Sequence, residues 1–342
     1  MKLPDELREL LDDYALPNPM AAPAMKWGIV GPGNIAATFA QHLRHNTAQE
    51  LLAVSSRHFG RAAAFAAEYG AERSYPDYRM LCADPDVDIV YVATPHSHHI
   101  EVALAAIAAG KAVVVEKPLT ATAADTDALF TAAAAAKVFV MEALWSRFLD
   151  PWRLTRELVR RGHLGEIIQV RSELSFPLLH KPRLVEPELA GGAIRDLGIY
   201  PLSFAQFLLG DGTLEYVCGS LHTTGVERDA LMVSDHRGVR AVSACSMRAH
   251  AANSAEVIGT KGWVRIPTTM HAPGAMHIAL EDRPAPIRVK VDARVKAPYR
   301  FEACEAARCV EQGLLESPDM TWWETKRLAT IIDQARNELK AA

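Results

Sequence analysis

The sequence predicts an α/β protein in which a doubly wound parallel sheet comes first and an α+β region with a mostly antiparallel sheet follows. Two patterns predict this order. Between about residues 25 and 145, short apolar runs alternate with helical segments, which is the rhythm of right-handed βαβ units. After Pro151, alternating runs follow one another without helices between them, and such runs favour antiparallel pairing.

The chain has 342 residues and is predicted to divide into three parts. Residues 1–24 are an N-terminal extension, in which residues 3–14 have helical spacing and a proline-containing linker follows. Residues 25–147 form the domain with the parallel sheet, and residues 148–342 form the second domain. We expect the terminal helix, residues 322–339, to pack back on the first domain.

The expected elements of the first domain alternate in type. Its strands are short and apolar, and they are Trp27–Val30, Leu51–Ser55, Ile89–Ala93, Ala112–Val115 and Val138–Met141. Its helices have apolar residues at helical spacing, and they are Ile35–Arg44, Arg61–Tyr69, His99–Ala109 and Asp125–Ala136.

The expected strands of the second domain mostly follow one another along the chain without helices between them. They are Ile167–Leu174, Leu214–His222, Leu231–Val233, Val239–Ser246, Ala255–Gly259, Trp263–Ile266 and Ile287–Val291. Its expected helices are Leu154–Arg161, Gly198–Leu209, Arg300–Glu311 and Trp322–Leu339.

The composition restricts the class of partner. The net charge is −4 and the basic residues are dispersed, which argues against nucleic acid or an anionic membrane as the partner. No run of about 18 uncharged apolar residues exists to span a bilayer, and early acidic residues argue against a secretory signal. The five cysteines include no C-x-x-C pair, which is typical of reduced thiols. We therefore expect a cytoplasmic protein that acts on a small molecule.

A glycine-rich turn follows the first strand. The run Gly31-Pro32-Gly33-Asn34-Ile35-Ala36 matches the pattern G-x-G-x-x-A between a strand and a helix. Gly31 permits the tight turn, and Gly33 lets the backbone approach a pyrophosphate. The N-terminus of the helix, at Asn34 and Ile35, stabilises the negative charge of that group. The first domain is therefore predicted to be a dinucleotide-binding Rossmann fold.

The second strand ends without an acidic residue. An NAD-binding Rossmann fold usually places Asp or Glu there to bind the ribose 2′-hydroxyl. This chain has Ser56 and Arg57 instead. A serine hydroxyl accommodates a 2′-phosphate, and an arginine pairs with it through charge-assisted hydrogen bonds. We therefore predict NADP as the preferred cofactor, with the alternative that Arg57 is a solvated loop cation and NAD is also used.

A histidine-containing loop follows the strand Ile89–Ala93. Its residues Thr94, Pro95, His96 and His99 come directly after a Rossmann strand, a position that favours contact with the nicotinamide half of the cofactor. Three histidines within four residues also suggest a metal site. No cysteine or acidic ligand accompanies them, so we predict no metal.

A lysine ends the next strand. Glu116, Lys117 and Pro118 follow an apolar run that reads as a buried parallel strand. The carboxyl end of such a strand is where open α/β sheets bind their ligands. Glu116 and Lys117 are therefore candidates for cofactor contact, and Lys117 also for substrate contact.

A second distinctive run lies between residues 191 and 200. Two glycines, Gly191 and Gly192, lead into a predicted helix in which Asp196 and Tyr200 are four residues apart and share one face. With Lys117 they supply a cation, a carboxylate and a phenol, a set suited to alcohol/ketone redox chemistry. We expect the Lys117 cation to lower the pKa of Tyr200, because a phenol with its ordinary pKa of ~10 is a poor base at neutral pH.

Taken together, these motifs resemble the Gfo/Idh/MocA oxidoreductase family, over about residues 25–340. Many members have histidine at the position of Tyr200. The Asp-Leu-Gly-Ile-Tyr form here, with the run 141–148 upstream, resembles the branch of dimeric dihydrodiol dehydrogenases and NADP-dependent D-xylose dehydrogenases. The resemblance implies NADP, a large open sheet in the second domain, a homodimer formed through that sheet, and frequently a cis bond between Lys117 and Pro118.

The resemblance also implies residue roles. Tyr200 exchanges a proton with the substrate hydroxyl, Lys117 supports it, and Asp196 orients Lys117 or binds a substrate hydroxyl. Trp145, Phe176 and His180 are weaker candidates for substrate contact, since core packing is the ordinary role of buried aromatics.

The expected function is NADP-dependent hydride transfer between nicotinamide and a CH–OH or C=O group of a sugar, polyol or dihydrodiol. Two alternatives stay open at the level of sequence. One is an NAD-dependent glycosidase of the same family, and the other is a regulator that binds the cofactor without turnover. The retention of Lys117, Asp196 and Tyr200 argues against the regulator.

Overall fold

The computed structural model describes residues 17–282, 285–290 and 296–341. The helix predicted at residues 3–14 lies outside the described residues. At the end of the predicted extension, Pro19–Ala21 form one turn of 3-10 helix, and the side chain of Asn18 accepts a hydrogen bond from Met20 at its start.

The first sheet has six parallel strands in the order β3-β2-β1-β4-β5-β6. Their bounds are β1 Lys26–Val30, β2 Glu50–Ser55, β3 Arg73–Tyr75, β4 Ile89–Val92, β5 Ala112–Glu116 and β6 Val140–Ala143. The helices are α1 Asn34–Leu43, α2 Phe59–Tyr69, α3 Tyr78–Cys82, α4 His99–Ala108 and α5 Ala123–Ala136. The strand order reverses between β1 and β4, which is where such sheets open a ligand-binding crevice.

The apolar runs form the inner strands of this sheet because helices cover both of its faces. Every residue of β4 and β5 is buried. β3 and α3 were not expected from the sequence. β3 has only three residues, all half-buried, and it lies at the sheet edge, so it has no apolar run that would identify it.

The second sheet has eight strands in the order β14-β13-β12-β11-β7-β10-β9-β8. Neighbours are antiparallel except β7 and β10, which are parallel. Their bounds are β7 Ile167–Ser175, β8 Thr213–Leu221, β9 Glu227–His236, β10 Val239–Ser246, β11 Ala255–Gly259, β12 Gly262–Ile266, β13 Ala275–Leu280 and β14 Ile287–Lys290. β13 was not expected, and β9 is longer than the predicted Leu231–Val233.

Helices of the second region lie around this sheet. They are α6 Asp150–Arg160, α7 Pro182–Val185, α8 Ile199–Leu209, α9 Tyr299–Glu311 and α10 Trp322–Ala341. A π-helical turn, Ile194–Gly198, leads directly into α8. All residues of α8 from Ile199 to Leu208 are buried, so this helix is surrounded by the core.

The solvent-facing side of the second sheet carries exposed apolar side chains on the neighbouring strands β8 and β9. Tyr216 is paired with Val233 and Cys218 with Leu231, on neighbouring strands β8 and β9. Tyr216 is 54% exposed and Leu231 is 39% exposed. Exposed apolar side chains on paired strand positions form a patch of the kind that protein interfaces use.

The terminal helix α10 contacts both parts of the molecule. Trp322 stacks on Phe130 of α5 with ring centroids 4.9 Å apart, and its Nε1 donates to the Val140 carbonyl at 2.8 Å. The same helix lies against β8 of the second sheet.

Among the helices in the described ranges, none combines the length and apolar character needed to cross a bilayer. The five cysteines are all free.

Replacing Trp152 by alanine is expected to lower the free energy of unfolding by about 3–5 kcal/mol, because a large buried ring is lost and a cavity remains. Trp152 is 0% exposed, packs edge-on against Phe204 at 4.9 Å and donates to the Met270 carbonyl. Urea denaturation measures the change. Trp323→Ala is the matched control, because Trp323 is 50% exposed and should cost under ~0.5 kcal/mol. Equal losses in the two variants would contradict this account of the core.

Candidate active site

A cleft of about 1040 Å³ lies between the carboxyl ends of the first sheet and the second region. All of the residues predicted for cofactor, catalysis or substrate line it, and they are Gly31, Gly33, Asn34, Ile35, Ser56, Arg57, Thr94, Pro95, His96, His99, Glu116, Lys117, Trp145, Phe176, His180, Asp196 and Tyr200. The fold therefore brings distant motifs of the chain together at one site.

The glycine turn after β1 leaves room for a phosphate group. Gly31 has φ +94°, and a Cβ added there would lie 2.8 Å from the Ala93 carbonyl oxygen, so a side chain is excluded. A Cβ on Gly33 would meet no atom within 4 Å, which leaves the N-terminus of α1 open. An open helix N-terminus with backbone N–H groups is a suitable site for a pyrophosphate.

Basic side chains follow β2. Ser56, Arg57, His58 and Arg61 line this end of the cleft, and Arg61 Nη2 donates to the Pro32 carbonyl at 3.3 Å. The hydroxyl oxygen of Ser55 is buried without a hydrogen-bond partner within the described residues. This end of the cleft is therefore cationic, a property that suits the anionic groups of a cofactor.

The loop after β4 holds its histidines by their ring nitrogens. His99 Nδ1 and Nε2 lie 2.9 Å from the carbonyl oxygens of Pro118 and Thr94, and His96 Nδ1 lies 3.3 Å from that of Ala190. Burial lowers the pKa of His96 to about 3. Burial also lowers the pKa of His99, although the carbonyl oxygens oppose this shift. In the described ranges, no three His, Cys, Asp or Glu side chains converge to hold a metal.

The Thr94 hydroxyl oxygen in the same loop is buried and has no partner among the described residues. It lines the cleft next to the glycine turn, where a Cβ added to Gly31 would lie 3.0 Å from the Thr94 backbone nitrogen. An unsatisfied buried hydroxyl beside an open helix N-terminus is what a polar cofactor would complete. The residues present therefore fit a bound dinucleotide.

Two glycines allow the π-helical turn to approach the cleft. A Cβ on Gly191 would lie 2.4 Å from the Leu184 carbonyl oxygen, and Gly192 has φ +126°. A Cβ on Gly192 would lie 2.1 Å from a carboxylate oxygen of Glu227. Larger residues would therefore displace the turn that carries Asp196. π-Helical turns of this kind occur frequently at functional sites.

Lys117 and Asp196 form the central contact of the cleft. Lys117 Nζ donates to the Asp196 carbonyl oxygen at 2.7 Å and to its Oδ1 at 3.1 Å. Arg183 Nη1 also lies 3.4 Å from Oδ1. Burial opposes ionisation of Asp196, but Lys117, Arg183 and His96 outweigh it and hold the pKa of the carboxyl well below its usual range.

Tyr200 stands beside this pair. Its hydroxyl accepts a hydrogen bond from Trp145 Nε1 at 3.1 Å, and Lys117 Nζ lies 5.2 Å from its ring centroid. Burial and the Glu116 carboxylate raise the pKa of Tyr200 well above its ordinary value. The net pKa therefore lies above that of an ordinary phenol, so the expected lowered value is not found in this geometry, in which the Lys117 ammonium group is bound to Asp196.

Glu116 lines the cleft, but its carboxylate is engaged within the protein. It accepts hydrogen bonds from the Tyr91 hydroxyl and from the Lys117 backbone N–H. Burial raises the pKa of Glu116, and also that of Glu302, a fully buried acid on α9. Glu302 was not foreseen, since nothing in the local sequence distinguishes it from a surface helix residue.

Aromatic side chains form the other wall. Trp145 stacks on Tyr299 with centroids 4.7 Å apart, and His271 lies edge-on to Phe176 at 5.8 Å. His180 is exposed at the rim. His271 and Tyr299 were missed by sequence reasoning, because they belong to no motif and come from segments far along the chain.

Comparisons with known proteins agree with this geometry. The model described as "Oxidoreductase family, NAD-binding Rossmann fold" (GFO_IDH_MocA) matches residues 25–144, and the GFO/IDH/MocA C-terminal domain matches residues 152–265. The trans-1,2-dihydrobenzene-1,2-diol dehydrogenase of Mus musculus is 34% identical over 324 residues, covering 92% of this chain and 97% of that protein.

Solved structures share the fold. The aldose-aldose oxidoreductase from Caulobacter crescentus, complexed with glycerol, has a TM-score of 0.81 at 27% identity and covers 92% of this chain and 98% of that one. A 3-ketoreductase from Actinomadura kijaniata, in complex with NADP and TDP-benzene, has a TM-score of 0.83 at 24% identity with the same coverage. The chain therefore belongs to the Gfo/Idh/MocA oxidoreductase family and is an NAD(P)-dependent dehydrogenase.

Proposed function

We propose that this protein transfers a hydride between NADP and a CH–OH or C=O group of a sugar, polyol or dihydrodiol, with Tyr200 as the proton donor and acceptor. The observation that carries the proposal is the convergence of Lys117, Asp196 and Tyr200 on one wall of the cleft. Their side chains meet between the open glycine turn on one side and the aromatic wall on the other.

The raised pKa of Tyr200 assigns its resting state. A protonated phenol is ready to donate to the carbonyl oxygen of a ketone or aldehyde during reduction. The Trp145 N–H that points at the phenol oxygen stabilises negative charge there after the proton has left. When bound, NADPH would supply the hydride to the carbonyl carbon in reduction, and NADP+ would accept a hydride from the carbinol carbon in oxidation.

Lys117 and Asp196 act on the substrate side of this step. The Lys117 ammonium group supplies positive charge next to the oxygen on which negative charge develops. Asp196 is ionised and holds Lys117 by two contacts, so it orients the cation before substrate arrives. Arg183 gives the same carboxylate a further partner.

The choice of NADP rests on the end of β2. Ser56 and Arg57 stand where an NAD-binding domain usually has an acid, and Arg61 lies beside them. For the substrate, the relatives in mouse and other vertebrates are named for a dihydrodiol, and the C. crescentus oxidoreductase was solved with glycerol. Both compounds carry neighbouring hydroxyl groups, and we extend that chemistry to this chain.

We also propose a homodimer formed through the outer face of the second sheet, and a cytoplasmic location. The exposed patch around Tyr216 and Leu231 supports the dimer, because exposed apolar side chains on paired strands favour burial against a second copy.

Tyr200→Phe is expected to lower kcat by about 10²–10⁴, because proton transfer from a positioned acid typically contributes that factor. Reduced-nicotinamide absorbance measures the rate with a panel of aldoses, polyols and trans-dihydrodiols. Tyr75→Phe is the control, since it also loses one phenolic hydrogen bond but lies away from the cleft. Near-normal kcat in a folded Tyr200→Phe protein would remove Tyr200 from the mechanism. Turnover without any net absorbance change would instead favour the glycosidase.

Lys117→Met is expected to lower kcat at least ~100-fold through the loss of charge stabilisation in the cleft. Lys111→Met serves as the matched control, because Lys111 is also partly buried and donates to the Val87 carbonyl at 2.7 Å near the start of β5. Thermal melts of both variants report the structural cost. A similar activity in the two variants, or an activity loss that only parallels the loss of stability, would make Lys117 a structural lysine.

Arg57→Leu is expected to lower the ratio of kcat/KM for NADP to that for NAD by about 10- to 100-fold, since a charge-assisted contact is worth roughly 1.5–3 kcal/mol. Steady-state kinetics with both cofactors measures the ratio. Arg44→Leu is the control, as Arg44 belongs to the same domain, is exposed, donates to the Tyr69 carbonyl at 2.8 Å and is not among the residues that line the cleft. A preference of the unmodified enzyme for NAD would overturn the assignment of NADP.

A further inference from the structure

His271 stands in the aromatic wall directly against Tyr200. Its ring centroid lies 5.3 Å from that of Tyr200, 5.7 Å from Trp145 and 5.8 Å from Phe176, in edge-to-face contacts. Because Tyr200 is the proposed proton donor, a substrate in contact with its hydroxyl lies beside the His271 ring.

The backbone around His271 is held in place from several sides. Ser146 Oγ donates to the His271 carbonyl oxygen at 2.6 Å, and Trp152 Nε1 donates to the carbonyl of Met270 at 2.7 Å. The Met270 N–H donates to the Asn253 carbonyl at 2.6 Å, and Met270 is fully buried. The ring is therefore presented to the cleft by a fixed segment, as a preorganised binding residue requires.

One nitrogen of the half-buried His271 ring has no hydrogen-bond partner within the part of the chain that the structure describes, as is also true of His42 Nδ1. This nitrogen, His271 Nδ1, is itself buried. In contrast, ring nitrogens of His96, His99 and His236 contact carbonyl oxygens. An unpartnered buried nitrogen is unfavourable. Because the protein encloses Nδ1 and the His271 ring lines the cleft, a ligand in the cleft would meet the imidazole at Nε2.

We propose that His271 is a specificity-determining residue, which hydrogen-bonds a substrate hydroxyl other than the one that is oxidised. The enzyme then selects polyhydroxylated substrates over monohydroxy alcohols. This inference rests on the proposed function, because it concerns the substrate of the same site.

The chemistry of the ring matches a hydroxyl group. Burial and the nearby Lys117 cation lower the pKa of His271 to about 4, so the imidazole is neutral at neutral pH. A neutral imidazole has one donor and one acceptor, and a hydroxyl group offers the same pair. The surrounding rings of Trp145, Phe176 and Tyr299 supply apolar faces against which the C–H face of a polyol ring packs.

Pairs of substrates that differ by one hydroxyl group test this role. We suggest measuring kcat/KM with NADP for trans-1,2-cyclohexanediol against cyclohexanol, and for D-glucose against its 2-deoxy and 3-deoxy analogues. The proteins are the unmodified enzyme, His271→Phe, His271→Gln and the control His250→Phe. His250 also meets Phe176 edge-on, at 5.7 Å, but is exposed and lies outside the cleft lining.

In at least one pair, the unmodified enzyme should have the higher kcat/KM for the substrate with the additional hydroxyl group. In His271→Phe this preference should fall about tenfold, through KM rather than kcat, as expected for loss of a contact that ground state and transition state share. His271→Gln should restore part of the preference, and His250→Phe should behave as the unmodified enzyme. Melting temperature and NADPH affinity should stay unchanged in all of them.

A preference that is the same in His271→Phe as in the unmodified enzyme, for every pair, would overturn the inference and leave the proposed function intact. An active unmodified enzyme that shows no preference within any pair would also overturn the inference and leave the proposed function intact. If the enzyme binds NADPH but turns over none of these compounds and no trans-dihydrodiol with either cofactor, the proposed function fails and this inference fails with it.

Discussion

The contact between Lys117 and Asp196 is the constraint on which the site depends. It joins the end of β5 to the π-helical turn before α8, across 79 positions of the sequence. A carboxylate that is almost completely buried must be paired or it would be protonated. Once Asp196 is ionised it requires a cation on this side of the cleft, and the end of the parallel strand is where the fold provides one. The ion pair thus links the end of the first sheet to the turn that precedes α8.

Contacts behind the turn hold it against that strand. Arg195 Nη2 donates to the Ala121 carbonyl at 2.5 Å, only four residues after Lys117. Glu227 fills the space beside Gly192 and lies 3.0 Å from Arg336 of α10. The turn that carries Asp196 is therefore fixed between the loop after β5 and the terminal helix. The geometry of the site depends in this way on the second sheet and on α10 as much as on the Rossmann strands.

Sequence reasoning predicted the features that have a local signal. The apolar strands, the glycine turn after β1 and the pair Asp196 and Tyr200 each follow from spacing within a short segment. The three-residue β3 has no apolar run, and so it was missed. His271 and Tyr299 carry no pattern, since only tertiary packing brings them to the cleft. The raised pKa of Tyr200 was also unforeseeable, because burial and the position of Glu116 determine it.

The raised pKa of Tyr200 has different consequences for the reduction and the oxidation that we propose. In the proposed mechanism, reduction uses the proton that Tyr200 already carries, whereas oxidation needs the phenol to lose its proton, which positive charge near the hydroxyl favours. In the structure the Lys117 ammonium group is bound to Asp196 and lies 5.2 Å from the centroid of the Tyr200 ring. Arg183 Nη1 also lies 3.4 Å from Asp196 Oδ1, so this buried carboxylate has two cationic partners. The charge of Asp196 is therefore balanced from two sides, by the end of the first sheet through Lys117 and by α7 through Arg183.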